Sequence, residues 1–191
     1  MNIRKVIEEY EPYDEVEKCD KEYFLKFMDT FDDVLTRENV FGHFSASAFV
    51  VNPKRDKFLA VYHIINDGWV SPGGHADGID DLLSVAHREV FEETGLDAKI
   101  LSDKPININA NAVVPHEKRG KRVPAHIHYD VMYLMEADDE LPLKFRKDES
   151  KGVKWFSFDK ADSKEMVPFI RPIQRKIVNK IKDMKIWITM I

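Results

Sequence analysis

Three glutamates in the segment REVFEETGL (residues 88–96) have the type and spacing that divalent metal chemistry requires. Glu89, Glu92 and Glu93 stand at positions i, i+3 and i+4, which share one face of an α-helix. Like charges at these spacings weaken an isolated helix by roughly 0.2 to 0.5 kcal/mol per pair, so a compensating cation is expected. Hard cations such as Mg²⁺ prefer oxygen ligands. The segment therefore predicts a metal-binding helix face, with a solvated acidic face as the alternative.

A second group of reactive side chains lies in PAHIHYD (residues 124–130). His126, His128 and Asp130 occupy every second position, so they share one face of a β-strand. Two histidines and a carboxylate could bind zinc, although catalytic zinc sites normally draw their ligands from separate elements. The same face could instead line a substrate pocket, or be a half-exposed strand end without a role. These three interpretations stay open on the residues alone.

The elements around the glutamates explain how they would be positioned. The glycine-rich stretch SPGGHADGIDD (residues 71–81) leads into a helical pattern over residues 82–94, which stops at Gly95. Glycine-rich loops let main-chain groups approach a phosphate or a metal closely. β-Branched and aromatic runs predict strands at residues 43–51, 57–65, 97–101, 105–114, 126–136 and 152–158.

Both ends of the chain have helical periodicity. In the N-terminal part, Tyr23, Phe27, Phe31 and Val34 recur at helical spacing and predict an amphipathic helix packed onto the main body. The tail has isoleucines at helical intervals and predicts a last helix over residues 168–187. We therefore predict one domain over residues 1–191, with a helical extension at residues 1–40.

Taken together, the loop and the helix resemble the signature of the Nudix hydrolases. The spacing matches throughout, and one position differs in type, because aspartate replaces the usual glutamate at position 80. The matching positions are Gly74, Asp80, Arg88, Glu89, Val90, Glu92, Glu93, Gly95 and Leu96. The resemblance implies an α/β fold, a Nudix-like α/β/α sandwich with a mixed β-sheet, to which this chain adds N-terminal and C-terminal helices.

The resemblance also implies a function. Nudix enzymes cleave a diphosphate linkage in a nucleotide or nucleoside diphosphate derivative with divalent metals. By this resemblance Glu89, Glu92 and Glu93, with the main-chain carbonyl of Gly74, would bind Mg²⁺ or Mn²⁺ and carry catalysis, while Arg88 would hold a glutamate in position. The alternative is a Nudix-like domain that binds or senses a nucleotide without cleaving it.

Asp80 would support the site, or it would cap the signature helix together with Asp81, because helix N-termini favour acidic side chains. We expect the aspartate at position 80 to reduce or alter the activity at most, not to abolish it.

Further site residues are expected outside the signature. Glu149, next to Asp148, lies six residues before Trp155, a placement similar to that of a catalytic or metal-binding glutamate in other family members; an ordinary charged turn is the alternative. His126 and His128 would line the substrate cleft. In the basic loop PHEKRGKRVP (residues 115–124), Arg119 and Arg122 could grip a diphosphate, or the loop could be a solvated hairpin tip.

Composition limits the classes of partner. A net charge of −5 argues against strong nucleic-acid binding. The single cysteine, Cys19, excludes an internal disulfide and a cysteine-based zinc site. An isoprenoid diphosphate isomerase of similar fold needs a cysteine at the site. Because Cys19 lies far in sequence from the signature, this class of enzyme is disfavoured. No signal peptide or membrane span is evident. We expect a cytoplasmic protein acting on a small-molecule nucleotide or diphosphate substrate, and we leave a homodimer open.

Overall fold

A computed structural model describes residues 2–118, 120–145 and 150–189. In these residues the helices are α1 (Ile3–Glu9), α2 (Glu15–Thr30), α3 (Leu82–Thr94) and α4 (Ile170–Thr189), with a short 3-10 helix at Phe158–Lys160. The strands are β1 (Gly42–Val51), β2 (Lys57–His63), β3 (Gly68–Val70), β4 (Gly73–His75), β5 (Lys99–Ile100), β6 (Asn107–Val113), β7 (His116–Lys118), β8 (Lys121–Val123), β9 (His126–Glu136) and β10 (Ser150–Ser157).

The chain divides into two compact units. The first comprises Met1–Ser47, Gly73–Glu89 and Ser102–Tyr133, and the second comprises Ala48–Pro72, Val90–Leu101 and Leu134–Ile191. Both contain strands and helices, so the predicted α/β class is confirmed. Among the described residues, no helix combines the length and the apolar character that crossing a bilayer requires.

Antiparallel pairing holds the strands of the first unit in register. Ser45 of β1 lies opposite His75 of β4, and β6 pairs with β9 along its whole length. Before β1, the carbonyl oxygen of Phe41 accepts a hydrogen bond from the nitrogen of Ile127 at 3.0 Å. The glycine-rich loop therefore includes a short strand, β4, which we did not predict and whose main chain is fixed by β1.

Helix α2 covers the core of the first unit with aromatic side chains. Asp14 caps its N-terminus by accepting a hydrogen bond from the nitrogen of Glu17 at 2.9 Å. Phe24 and Phe27 are buried, and their rings lie 5.1 and 4.2 Å from the ring of Tyr129. The prediction of the buried face is partly wrong, because Tyr23 is exposed and the helix ends at Thr30, before the predicted members Phe31 and Val34.

The second unit is built around β2. Strand β10 pairs with β2 from Val153, opposite Val61, to Ser157, opposite Lys57, and β3 also pairs with β2. Helix α4 begins at Ile170, two residues after the predicted start, and it buries Ile170, Ile177 and Ile181. The apolar face of α4 is therefore part of the core of the second unit.

Helix α3 has the predicted bounds. It begins directly after Asp81 and ends at Thr94, and Gly95 follows with a φ of +74°, a left-handed conformation that favours glycine. The nitrogen of Gly95 donates to the carbonyl oxygen of Phe91 at 2.9 Å, which closes the last turn. The periodicity and the terminal glycine were therefore sufficient to predict this helix.

Candidate functional site

The main chain of Gly74 lies directly against the carboxylate of Glu89. A β-carbon at position 74 would stand 2.5 Å from Cδ of Glu89 and 2.6 Å from its Oε1. The neighbouring Arg88 donates from a guanidinium nitrogen to Oε1 of Glu89 at 3.0 Å. The signature glycine therefore lets the loop and the first signature glutamate pack together. Arg88 was expected to hold one of the glutamates in position, and the glutamate that it contacts is Glu89.

The other two signature glutamates follow on the same helix and belong to the second unit. Glu92 is exposed, whereas Glu93 is 6% exposed. Thr94, beside Glu93, donates from its hydroxyl to the carbonyl oxygen of Val90 at 2.6 Å and fixes the last turn. The metal-binding roles of Glu92 and Glu93 remain predictions.

The aspartates before α3 have different environments. Oδ1 of Asp81 is 3.4 Å from the nitrogen of Ser84, and the carbonyl oxygen of Asp81 accepts from the Ser84 hydroxyl at 2.7 Å, so Asp81 caps the helix. Asp77 forms a two-pronged ion pair with Arg37, at 2.7 and 2.8 Å. Asp80 is exposed, and its carboxylate makes no hydrogen bond in the part of the chain that the structure describes.

Asp130 makes its hydrogen bonds to two serines of β1. It is buried, and its two carboxylate oxygens accept from the hydroxyls of Ser45 at 2.8 Å and Ser47 at 2.5 Å. Burial raises the pKa of this carboxyl group, and the two serine hydrogen bonds oppose the rise. The hypothesis of a zinc site made of His126, His128 and Asp130 is therefore wrong in its membership.

His128 instead belongs to a cluster with two histidines that the sequence analysis did not identify. One ring nitrogen each of His43, His75 and His128 lies within 4.8 Å of the others. His126 is adjacent, because its Nε2 is 3.0 Å from Nε2 of His128, and its Nδ1 is 2.9 Å from the carbonyl oxygen of Pro124. We call His43, His75 and His128 the histidine cluster. No spacing rule on one strand could reveal it, because its members come from β1, β4 and β9.

The basic loop forms a hairpin of β7 and β8. Arg122 is exposed on β8, opposite Glu117 of β7. This agrees with the solvated hairpin that we left open, and the substrate-binding role of Arg122 stays a prediction. Arg119, Asp148 and Glu149 lie outside the described residues.

The family is shown by a comparison with models of protein families. The model of the NUDIX domain matches residues 42–178, more than half of the chain, so this chain belongs to the Nudix family. The predicted family is thereby confirmed. Helices α1 and α2 precede the matched region.

Known proteins agree with this assignment. A curated relative from Lactococcus lactis subsp. cremoris, named "Probable DHNTP pyrophosphohydrolase", is 32% identical over 96 residues, which are 50% of this chain and 55% of the relative; the chain thus spans about half of that protein's length. A Nudix-family hydrolase from Clostridium perfringens aligns with a TM-score of 0.51 and 21% identity, over 73% of this chain and 97% of that one. A MutT protein from Methanosarcina mazei Go1 aligns with a TM-score of 0.51 and 20% identity, over 74% and 96%. Both structures confirm the Nudix-like fold.

Proposed function

We propose that this protein is a Mg²⁺- or Mn²⁺-dependent pyrophosphohydrolase that cleaves a diphosphate linkage in a nucleotide or nucleoside diphosphate derivative. The observation that carries the proposal is the packing of the Gly74 main chain against the carboxylate of Glu89. It brings a main-chain segment of the loop and a signature carboxylate together, and both supply the oxygen atoms that hard divalent cations prefer.

The donor set fits such a cation. Glu92 and Glu93 follow Glu89 on α3 at helical spacing, so with the carbonyl of Gly74 they would hold Mg²⁺ or Mn²⁺. A bound cation would neutralise phosphate oxygens and acidify the attacking water. Arg88 would keep the Glu89 carboxylate oriented through the hydrogen bond described above. Glu149 remains a candidate for the general base, on the sequence resemblance alone.

The substrate in this proposal is a nucleotide or nucleoside diphosphate derivative that contains a diphosphate linkage. The name of the Lactococcus relative makes DHNTP the first compound to test, beside nucleoside triphosphates, nucleotide sugars, ADP-ribose and dinucleoside polyphosphates. His126 would face the substrate, and Arg119 and Arg122 would contact its phosphates, whereas the ring nitrogens of His128 are engaged by His126 and the histidine cluster. The sensing domain remains the competing function.

We place this activity in the cytoplasm, on the basis of the single cysteine, Cys19. The net charge of −5 supports a small-molecule substrate rather than a nucleic acid. A homodimer stays open, and light scattering would give the mass in solution.

The test is a substrate screen with purified protein and Mg²⁺ or Mn²⁺, in which released phosphate and pyrophosphate are measured. Glu89→Gln and the double variant Glu92→Gln with Glu93→Gln should lower kcat on the order of 10²- to 10³-fold, because each removes charge that stabilises the transition state. Glu22→Gln, an exposed glutamate on α2, is the matched control.

Two outcomes would contradict the proposal. Undiminished turnover in the double variant would remove the proposed metal ligands from the mechanism. Calorimetric binding of a screened compound without any turnover, with either metal, would favour the sensing domain over the enzyme.

A further inference from the structure

We propose that the histidine cluster is a second metal site, which takes a divalent transition metal of the zinc class and is distinct from the site at Glu89. Its three members come from three strands of the first unit, and one ring nitrogen of each lies within 4.8 Å of the others. Ring centroids in the cluster are separated by 4.8 to 5.0 Å. The imidazoles therefore converge on a common point.

Ligand chemistry selects the metal. Imidazole nitrogens suit Zn²⁺, Co²⁺, Ni²⁺ and Cu²⁺, whereas Mg²⁺ prefers oxygen. Tetrahedral zinc has Zn–N bonds of about 2.0 to 2.1 Å, so its nitrogen ligands lie roughly 3.4 Å apart. Small rotations of the three side chains would close the cluster from its present spacing to that value. Three histidines would leave the fourth position open for water or an external ligand.

His43 supplies an independent indication that a ligand is needed. Only 4% of this residue is exposed, yet in the described part of the chain neither of its ring nitrogens has a hydrogen-bond partner. The main chain of Asn39 lies close enough to raise the pKa of His43, but it does not form a hydrogen bond of normal geometry. Buried polar groups in folded proteins nearly always have a partner. A metal bound to His43 would provide it.

His126 prepares His128 to bind a metal. The carbonyl oxygen of Pro124 can only accept, so Nδ1 of His126 carries a proton and donates it at 2.9 Å. Nε2 of a neutral His126 is then an acceptor for the Nε2 proton of His128, 3.0 Å away. This arrangement leaves the Nδ1 lone pair of His128 available. Metal-binding histidines typically donate their other ring proton to such a partner.

The burial of the cluster agrees with metal binding. His43 is buried and His128 is half-buried. Burial disfavours the charged form of an imidazole, and neutral imidazole is the form that binds metals.

Occupation of the cluster would fix the glycine-rich loop. His75 directly follows Gly74, the residue that packs against Glu89, and it lies opposite Ser45 on β1. A metal shared by β1, β4 and β9 would join three strands at this point. The second ion would thus support the loop of the proposed hydrolytic site without taking part in the chemistry there.

The test is a titration of metal-free full-length protein with Co²⁺ in excess Mg²⁺, followed by visible absorbance. We expect one Co²⁺ per chain, with the intense bands of four-coordinate cobalt, and displacement by Zn²⁺. His128→Gln and His75→Gln should abolish these bands. His126→Phe should weaken binding by roughly 10- to 100-fold, the usual effect of losing a partner of a metal ligand. His63→Gln, a histidine of the second unit, should change nothing.

X-ray absorption at the zinc edge of the wild-type protein keeps the test independent of how the variants fold. X-ray absorption is expected to show three imidazole ligands, and a shell of oxygen ligands alone would overturn the proposal. In the titration, the absence of Co²⁺ binding to the wild-type protein or undiminished binding by His128→Gln would also overturn it. Glu89→Gln should retain Co²⁺ binding while losing hydrolysis. Failure of the hydrolase proposal is therefore distinguishable from failure of this one.

Discussion

Gly74 and Glu89 pack so closely that no β-carbon fits between them: it would lie 2.5 Å from Cδ of the glutamate. The relationship joins a loop position to a helix position within the first unit. It explains in steric terms why the signature has a glycine here, since any side chain at position 74 would displace the carboxylate.

Gly74→Ala should therefore inactivate the enzyme without unfolding it. Displacement of a catalytic group by about 1 Å can cost on the order of 10²-fold in rate, and we expect a fall in kcat of that order. Steady-state kinetics with the substrate found in the screen, together with circular dichroism, measure both effects. Gly152→Ala is the matched control, because its β-carbon would meet its nearest neighbour, Trp69, at an ordinary 3.6 Å. Equal activity of the two variants would contradict this account.

Asp80→Glu restores the residue that Nudix signatures usually have, and it should change kcat by less than about twofold, well below the 10²- to 10³-fold effects of removing a transition-state contact. The reason is that Asp80 is exposed and its carboxylate makes no hydrogen bond to the described residues, whereas Asp81 caps α3. Kinetics of the two proteins side by side provide the check. A tenfold gain would show that the shorter side chain limits the wild-type enzyme.

Tyr10→Phe should destabilise the first unit. The hydroxyl of Tyr10 donates to Oε2 of the fully buried Glu17 at 2.6 Å, and the nitrogen of Tyr13 donates to the same oxygen at 2.8 Å. Loss of a hydrogen bond to a charged group costs about 1.5 to 3 kcal/mol, so the free energy of unfolding should fall by that amount. Urea denaturation at pH 7 measures it. Tyr13→Phe, which keeps the main-chain hydrogen bond, should have a much smaller effect.

The ion pair between Lys57 and Asp139 should make a pH-dependent contribution to stability. Nζ of Lys57 lies 2.7 Å from Oδ2 of Asp139, and this hydrogen bond holds the pKa of Asp139 below its ordinary value of 3.8. A depressed carboxyl pKa in the folded state stabilises the protein above the unfolded value, and the contribution is lost as the pH falls through the folded value.

Asp139→Asn should accordingly lower the urea midpoint at pH 7, and the difference from wild type should shrink below pH 3.8. Asp103→Asn, an exposed aspartate without a described ion pair, makes the same change in charge and serves as the control. A difference that stays constant between pH 7 and pH 3 would contradict the assignment.

Local signals predicted helix α3 and strand β9 correctly. Helix α3 has the predicted bounds because both signals are local: the apolar residues recur at helical spacing, and Gly95 ends the helix directly after Thr94. Strand β9 also matches, since its eleven residues alternate and then become continuously apolar. The short strands β3, β4, β7 and β8 were not predicted, because three residues carry no periodic pattern and their pairing depends on the partner strand.

The residues of the candidate site also differ in whether local spacing or strand pairing brings them together. Glu89, Glu92 and Glu93 are found from sequence because helical spacing alone groups them. His43 and His75 are not, because strand pairing brings them beside His128. Asp130 shows the converse: it shares a strand face with the histidines, but its carboxylate accepts hydrogen bonds from two serines of β1 and does not belong to the histidine cluster. Spacing predicts a shared face, and only the fold decides which neighbours meet there.

The stacking of Phe27 on Tyr129, with ring centroids 4.2 Å apart, decides which residues must be kept together for the first unit to fold. Tyr129 adjoins His128 in β9, yet Phe27 precedes Gly42, where the resemblance to other Nudix proteins begins. A chain trimmed to residues 42–178 would lose the aromatic side chains that cover the strand that carries His128. Helix α2 is therefore part of the core of the first unit rather than an appendage.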